Sequence, residues 1–130
     1  FGKVLQNSGI AKAIGEPLAA FNLGIWLPFL LASVIKTAQG SSTVAIVTTA
    51  SLLKPLMASL GIDTPVETAI SVVMIGAGSM CVSHANDSYF WVVTQFSRMD
   101  VLTGYKLQSL GTLLEGLAAG TAVWLIYTFV

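Results

Sequence analysis

Two long apolar runs dominate the chain, residues 17–35 and residues 44–60, and one short polar stretch separates them. Each run approaches the roughly 20 apolar residues that a helix needs to cross the hydrocarbon core of a bilayer. Charged residues make up 9% of the chain, whereas a soluble domain carries roughly a quarter. So few charges cannot cover a surface that faces water. The sequence therefore predicts an all-α integral membrane protein.

Charge and cysteine content exclude several function classes. The six basic and six acidic residues sum to a net charge of zero, so the chain has no basic footprint for a nucleic-acid partner. With one cysteine, Cys81, and one histidine, His84, a metal site is poorly supported, and we expect neither a metal nor a cofactor. Because Phe1 is not an initiator residue, we expect these 130 residues to be the C-terminal part of a larger membrane protein.

The polar stretch over residues 36–43 predicts the turn of a helical hairpin. It contains a lysine, a glutamine, a glycine and four hydroxyl side chains. An unpaired N–H or C=O in hydrocarbon costs several kcal/mol, so irregular backbone at membrane depth must be buried in protein or line a wet cavity. We predict a lead-in over residues 1–16, followed by a re-entrant helical hairpin over residues 17–60 with its tip at residues 37–43.

Residues 65–97 predict a discontinuous helix, because they are too many for one straight crossing of about 20 residues. The run Thr64-Pro65-Val66-Glu67 is a capping box with proline in the first turn, which marks the start. The polar residues 83–88 then interrupt the apolar pattern, and we predict that the helix is broken there. A terminal transmembrane helix follows over residues 106–130, in which two glycines have the four-residue spacing of a packing face.

The hairpin tip predicts an anion site. Hydroxyl residues at the start of the second arm would lie where free N–H groups and the positive end of the helix dipole favour an anion. Lys36 adds a full positive charge, so a carboxylate-bearing substrate fits. The alternative is that the hydroxyls only cap a helix and that Lys36 reaches the interface from an ordinary loop. The candidate substrate-binding residues here are Lys36, Gln39, Gly40, Ser41, Ser42 and Thr43.

The predicted break at residues 83–88 would contribute the ionisable part of the same site. Polar and ionisable side chains within a few residues of one another, inside an apolar context, are functional by default in membranes. Asp87 is the candidate carrier of a coupling proton, and His84 would relay a proton or bind a substrate hydroxyl. The alternative is a polar kink whose side chains satisfy one another. The candidate substrate-binding residues here are Ser83, His84, Asn86, Asp87 and Ser88.

Glu115, inside the terminal helix, is a third candidate for proton coupling. Its alternative role is that of a packing carboxylate bonded to a neighbouring hydroxyl such as Ser109 or Thr121. An intramembrane enzyme is a competing class, but Ser83, His84 and Asp87 make no convincing hydrolase triad, since no glycine-flanked serine stands here. We therefore expect a transporter and not an enzyme.

Two motifs resemble the bacterial gluconate permease family: IKTAQGSSTVA at residues 35–45 and SHANDSYFWVV at residues 83–93. Two further stretches, residues 1–5 and residues 99–112, are similar to the family as well. The resemblance covers essentially the whole chain and implies that the chain is the C-terminal part of such a permease. It implies a proton-coupled symporter of sugar acids in the inner membrane, built from two inverted repeats. In each repeat a re-entrant hairpin and a broken helix would meet at the substrate, here through residues 39–43 and 83–88.

The resemblance also implies the partners. These are a sugar-acid anion such as gluconate, a proton, the lipid bilayer and the N-terminal repeat of the same transporter, which would supply the opposing half of the site. A second copy of the chain, forming a homodimer, is a further candidate. Two alternatives remain beside gluconate uptake: transport of another small organic anion, and a membrane subunit that does not transport. Saturable uptake driven by a pH gradient separates a carrier from the second alternative.

Overall fold

The computed structural model describes Val4, Asn7 and residues 23–129, and all regular structure in residues 23–129 is helical. The all-α prediction is therefore confirmed for this part of the chain. Apart from Val4 and Asn7, the predicted lead-in over residues 1–16 lies outside the described residues, as do residues 17–22 and Val130. In chain order the elements are α1 (Trp26–Gln39), α2 (Ser42–Leu53), two 3-10 turns (Lys54–Leu56 and Ala58–Leu60), α3 (Pro65–Met80), α4 (Ser88–Phe96), α5 (Val101–Gly104), a π-helical turn (Tyr105–Ser109) and α6 (Leu110–Thr128).

Helices α1 and α2 form a hairpin with a very short connection. Gly40 ends α1 with a φ of +80°, a conformation that suits glycine, and its N–H donates to the Lys36 carbonyl. Ser41 then caps α2, its hydroxyl accepting from the Val44 N–H at 3.4 Å. The non-helical part of the hairpin tip is only these two residues, shorter than the predicted 37–43, because the flanking polar residues complete the helical turns on either side.

Helix α3 begins at the predicted capping box, which is confirmed. The Thr64 hydroxyl accepts from the Glu67 N–H at 3.1 Å, and the Glu67 carboxylate accepts from the Thr64 N–H at 2.9 Å. Just before it, Gly61 ends the second 3-10 turn with a φ of +70°. Local signals alone therefore determine this helix start.

A non-helical segment separates α3 from α4. Residues 81–87, which we call the helix break, are non-helical, so the break begins two residues before the predicted 83–88. The backbone at Val82 has a φ of +48°, unfavourable for a β-branched residue, and this conformation takes the chain out of the helical path. Ser88 belongs to α4 because Asp87 caps that helix, its carboxylate accepting from the Tyr89 N–H at 3.0 Å.

The last helix is continuous over Val101–Thr128 and is the one helix in the described part of the chain that is long and apolar enough to cross a membrane. It begins at Val101 and not at the predicted Lys106, because Asp100 caps it: the Asp100 carboxylate accepts from the Thr103 N–H at 2.8 Å. Its second turn, Tyr105–Ser109, is π-helical. Such a turn holds an extra residue and is found at functional sites.

Small residues bring α1, α3 and the last helix close together. The predicted packing face at Gly116 and Gly120 is confirmed: both glycines are buried, and an added Cβ at Gly116 would meet the Cys81 sulfur. At Gly120 an added Cβ would meet the Phe29 ring, and Gly78 of α3 lies against the Phe29 carbonyl. The core on this face consists of Ile25, Phe29, Ile70, Met74, Ala77 and Cys81.

Candidate functional site

The hairpin tip and the helix break lie against each other. The carbonyl of Thr37 accepts two hydrogen bonds from the break, one from the His84 ring Nε2 at 2.9 Å and one from the Asn86 amide at 2.8 Å. Since a carbonyl only accepts, His84 carries its proton on Nε2 or on both ring nitrogens. Gly40 is buried beneath the backbone of Asn86, and a Cβ added there would collide with the Asn86 carbonyl. The two polar segments are therefore assembled into one unit.

A buried ion pair joins the two segments. The Lys36 ammonium is hydrogen-bonded to the Asp87 carboxylate, although the two residues are 51 positions apart in the sequence. Their side chains are only 2% and 9% exposed. Lys36 also donates to the Gly40 carbonyl at 3.2 Å, and the Ser83 hydroxyl donates to Asp87 at 2.6 Å. A buried charge left without its partner is strongly destabilising, so each member of this pair requires the other.

The last helix holds the break from its other side. The Ser83 N–H donates to the Thr112 hydroxyl at 2.9 Å, and the Ser109 hydroxyl donates to the Ser83 carbonyl at 2.6 Å. Both backbone groups of an unwound residue thus have partners, as buried polar groups require. Thr112 was not among the predicted site residues, and Ser109 was predicted only as a possible partner of Glu115. Their three-residue spacing within an apolar helix places two hydroxyls on one face, and this signal was available in the sequence.

The hydroxyls of the hairpin tip have different surroundings. Ser41 acts as the cap of α2, which agrees with the capping alternative. Ser42 donates to the Ser79 carbonyl at 2.8 Å and so ties the start of α2 to the end of α3. The Gln39 amide donates to the Ser41 carbonyl at 2.6 Å on the exposed side of the tip, and Thr43 is exposed. The predicted set of tip residues therefore does not converge on one point.

A cavity of about 400 Å³, which we call the site cavity, opens beside the ion pair. It brings together five of the residues predicted from the sequence: Lys36, Ser42, Ser83, Asp87 and Glu115. The other described residues on its wall are Ile46, Gly76, Ser79, Met80, Tyr89 and Thr112. The predicted residues that do not line it are Gln39, Gly40, Ser41, Thr43, His84, Asn86 and Ser88. The wall combines one cation, two carboxylates and several hydroxyls in an otherwise apolar surface.

Glu115 is exposed on the last helix and faces the site cavity. The two hydroxyls considered as its partners are bonded elsewhere: Ser109 donates to the Ser83 carbonyl, and Thr121 donates to the Leu117 carbonyl at 2.7 Å. Glu115 is thus not a packing carboxylate of the predicted kind. Within residues 23–129 no three His, Cys, Asp or Glu side chains come together as a metal site would need.

Comparison with known proteins gives a family match over the whole sequence. The family described as "GntP family permease" matches residues 1–130. The inner membrane permease YgbN of Escherichia coli (strain K12) is 33% identical over 100% of this chain and 28% of its own length. The gluconate permease of Zymomonas mobilis is 33% identical over 99% of this chain and 27% of its own length.

The low-affinity gluconate transporter of E. coli (strain K12) is 38% identical over 75% of this chain and 22% of its own length. The chain therefore spans about a quarter of the length of the curated relatives it matches. No solved structure matches it.

Proposed function

The chain belongs to the GntP family of permeases, and from this premise we propose that it takes part in the uptake of gluconate or a related sugar acid across the bacterial inner membrane. The names of the relatives support the substrate class and the membrane. The family membership confirms the resemblance predicted from the two motifs, and permeases are transporters and not enzymes. Transport of another small organic anion is the second candidate, since one relative is named only as an inner membrane permease.

The chain supplies one half of the substrate site of an inverted-repeat transporter, with α1 and α2 as a re-entrant hairpin and α3 and α4 as a discontinuous helix. Helix length supports this arrangement. Helices α1, α2 and α3 have 14, 12 and 16 residues, short of the roughly 20 needed for a full crossing. Charges buried at the end of α1 and at the helix break are costly in a membrane and mark substrate or ion pathways. The N-terminal repeat would close the site cavity from the other side.

The single observation that carries the proposal is the buried Lys36–Asp87 pair on the wall of the site cavity. A substrate carboxylate that enters the cavity meets Lys36 as its counter-charge. The Ser42 hydroxyl lies on the same wall and would bind the carboxylate by exchanging its hydrogen bond to the Ser79 carbonyl for one to the substrate. This assigns the anion first to Lys36, and it leaves Ser41 and Thr43, which are absent from the wall, with roles in the hairpin itself.

Coupling to a proton follows from charge balance in the buried site. When the substrate carboxylate takes the place of Asp87 beside Lys36, the Asp87 carboxylate loses its counter-charge and lies near a second anion. Burial and a neighbouring like charge both favour the protonated form of a carboxyl group. Protonated Asp87, the Lys36 ammonium and one bound carboxylate together are neutral, as is the ion pair alone. Substrate binding and proton binding therefore favour each other.

His84 is a weaker candidate for the coupling proton than Asp87. It does not line the site cavity, and its ring is hydrogen-bonded to the Thr37 carbonyl. These contacts favour a role in which His84 holds the hairpin tip against the helix break.

The test is uptake of labelled gluconate into vesicles by the full-length protein, with and without a proton gradient. A carrier of this kind gives saturable uptake that the gradient drives and that a proton ionophore abolishes. A membrane subunit that does not transport gives no saturable uptake. Saturable uptake of a different organic anion, with gluconate neither taken up nor competing, would establish the second candidate.

A further inference from the structure

We propose that Glu115 determines substrate specificity, selecting sugar acids with one carboxylate and several hydroxyls over acids with a carboxylate at each end. This inference rests on the proposed function, because it concerns the same cavity. It assigns to Glu115 a role in recognition and not in proton transfer.

Glu115 is the charged group on the cavity wall that has no partner among the described residues. Lys36 and Asp87 compensate each other. The hydroxyls of three other wall residues already donate within the protein: Ser42 to the Ser79 carbonyl, Ser83 to Asp87, and Thr112 to the Ser109 carbonyl at 3.2 Å. A hydroxyl that donates can still accept, but Glu115 is the wall group that combines a full negative charge with no donor among the described residues.

The acceptor positions of the Glu115 carboxylate match the hydroxyl end of a sugar acid. An ionised carboxylate only accepts hydrogen bonds and has about four lone-pair positions, so it can take two or more hydroxyl donors. Lys36 offers only donors. The wall thus presents a cation for a carboxylate and, at Glu115, an acceptor for hydroxyl groups. A chain with a carboxylate at one end and hydroxyls along the rest satisfies both.

Glu115 would repel a second carboxylate group on the substrate. A second carboxylate on the substrate would face the negative charge of Glu115 in a cavity with largely apolar walls, where like charges repel more strongly than in water. This second carboxylate would also stand where a sugar acid has a hydroxyl group, so the hydrogen bond from that hydroxyl to Glu115 would be lost. Both effects disfavour a dianion of the same length.

Gluconate and glucarate provide a matched pair of probes, because they differ only in the terminal group, a CH2OH in one and a carboxylate in the other. The experiment measures inhibition of labelled gluconate uptake by unlabelled glucarate in vesicles containing the full-length protein. The readout is the ratio of the inhibition constant of glucarate to the KM of gluconate. In the unmodified protein we expect gluconate to be strongly preferred.

Glu115→Gln keeps the shape of the side chain and removes its charge, and we expect the ratio to fall about tenfold, as a change of about 1.4 kcal/mol in relative affinity requires. Glu115→Asp keeps the charge and should keep the preference for gluconate. Asp63→Asn removes a carboxylate that does not line the site cavity and should leave the ratio unchanged. If the glutamine variant fails to insert, Glu115→Ser serves as a second uncharged variant.

Three outcomes oppose the inference or its premise, and they are distinguishable. Absence of gluconate uptake by the unmodified protein contradicts the proposed function itself. Normal gluconate uptake with an unchanged ratio in the uncharged variants overturns the specificity role alone. Loss of proton-driven accumulation in Glu115→Gln, with gluconate binding retained, would instead make Glu115 the carrier of the coupling proton.

Discussion

The turn at Gly40 and Ser41 and the turn at residues 61–64 are built from the same local parts. Each begins with a glycine at positive φ, and each ends with a hydroxyl side chain that caps the next helix. Their surroundings are opposite: Gly40 is buried under the helix break, whereas nothing lies within 4 Å of a Cβ added at Gly61. Local residue types thus decide where a helix ends, and contacts from distant segments decide whether the turn becomes a site.

The charged residues near the two turns differ in the same way. Lys36 precedes the first turn and is buried in the ion pair, whereas Lys54 precedes the second and is exposed. Asp87 and Asp100 are both N-caps of helices, but Asp87 is buried against Lys36 and Asp100 is exposed. These matched pairs allow the contribution of the surroundings to be measured separately from that of local structure.

The largest expected difference is between the two lysines. Lys36→Gln leaves the Asp87 carboxylate buried without its counter-charge, which costs about 3–5 kcal/mol of unfolding free energy, and it should abolish gluconate uptake. Lys54→Gln is a surface change and should cost within about 0.5 kcal/mol. Denaturation of the purified full-length protein, together with vesicle uptake, checks both values. Equal, small effects of the two changes would mean that the ion pair contributes nothing.

The next difference is between the two capping aspartates. Asparagine caps a helix as well as aspartate does but does not titrate, so Asp87→Asn imitates the protonated form. Asp87→Asn leaves the Lys36 ammonium without its counter-charge until a substrate carboxylate binds, so we expect it to lower stability as well. We further expect Asp87→Asn to bind gluconate with weakened pH dependence and to lose accumulation against a gradient, while Asp100→Asn accumulates normally. Binding measured from about pH 5 to pH 8, beside active uptake, separates these steps. Proton-driven accumulation by Asp87→Asn would move the coupling proton to His84 or Glu115.

Alanine substitution of the two glycines should give a smaller difference. An alanine in the left-handed region costs about 1–2 kcal/mol at either position. At Gly40 its Cβ would also collide with the Asn86 carbonyl, so Gly40→Ala should cost clearly more than Gly61→Ala and should reduce uptake. Thermal unfolding and uptake of both variants in parallel test this. Equal costs would indicate that the break moves aside without penalty.

The smallest expected effect is on the start of the last helix. The Thr103 backbone N–H, and then its hydroxyl, hold the pKa of the Asp100 carboxyl below its ordinary value. The ionised Asp100 carboxylate therefore stabilises the start of the helix above the pKa that this group has in the unfolded chain. That stabilisation is lost as the pH falls through the lowered pKa of Asp100 in the folded protein. Amide hydrogen exchange at Thr103 should accelerate, relative to its intrinsic rate, below about pH 4. Asp100→Asn should lack this pH dependence. A similar pH dependence in Asp100→Asn would contradict its assignment to the Asp100 carboxyl group.

Features whose determinants are local could be predicted from the sequence. The capping box at Thr64, the glycine-centred hairpin tip and the polar helix break all follow from residue types within a few positions. The start of the last helix at Val101 was missed, although its Asp100 cap was also a local signal.

Features whose determinants lie far apart in the sequence could not be predicted. The pairing of Lys36 with Asp87 depends on how α1 and α3 pack, and the contact between Ser83 and Thr112 depends on how the last helix packs on α3. Polar residue types show that such partners are needed, but only the packed fold shows which ones meet.

The π-helical turn at Tyr105–Ser109 is the place where the last helix can absorb a change in length. Successive residues of an α-helix are turned by about 100° around its axis, so deleting one residue from an α-helical stretch rotates everything that follows by that angle. A π-helical turn holds an extra residue, and deleting one residue from it lets the turn close to ordinary α-helical winding. Thr112 would then stay beside Ser83, and Glu115 beside the site cavity. The last helix should therefore tolerate the loss of one residue within Tyr105–Ser109, although the same loss inside an α-helical stretch would turn its later side chains away from the helix break.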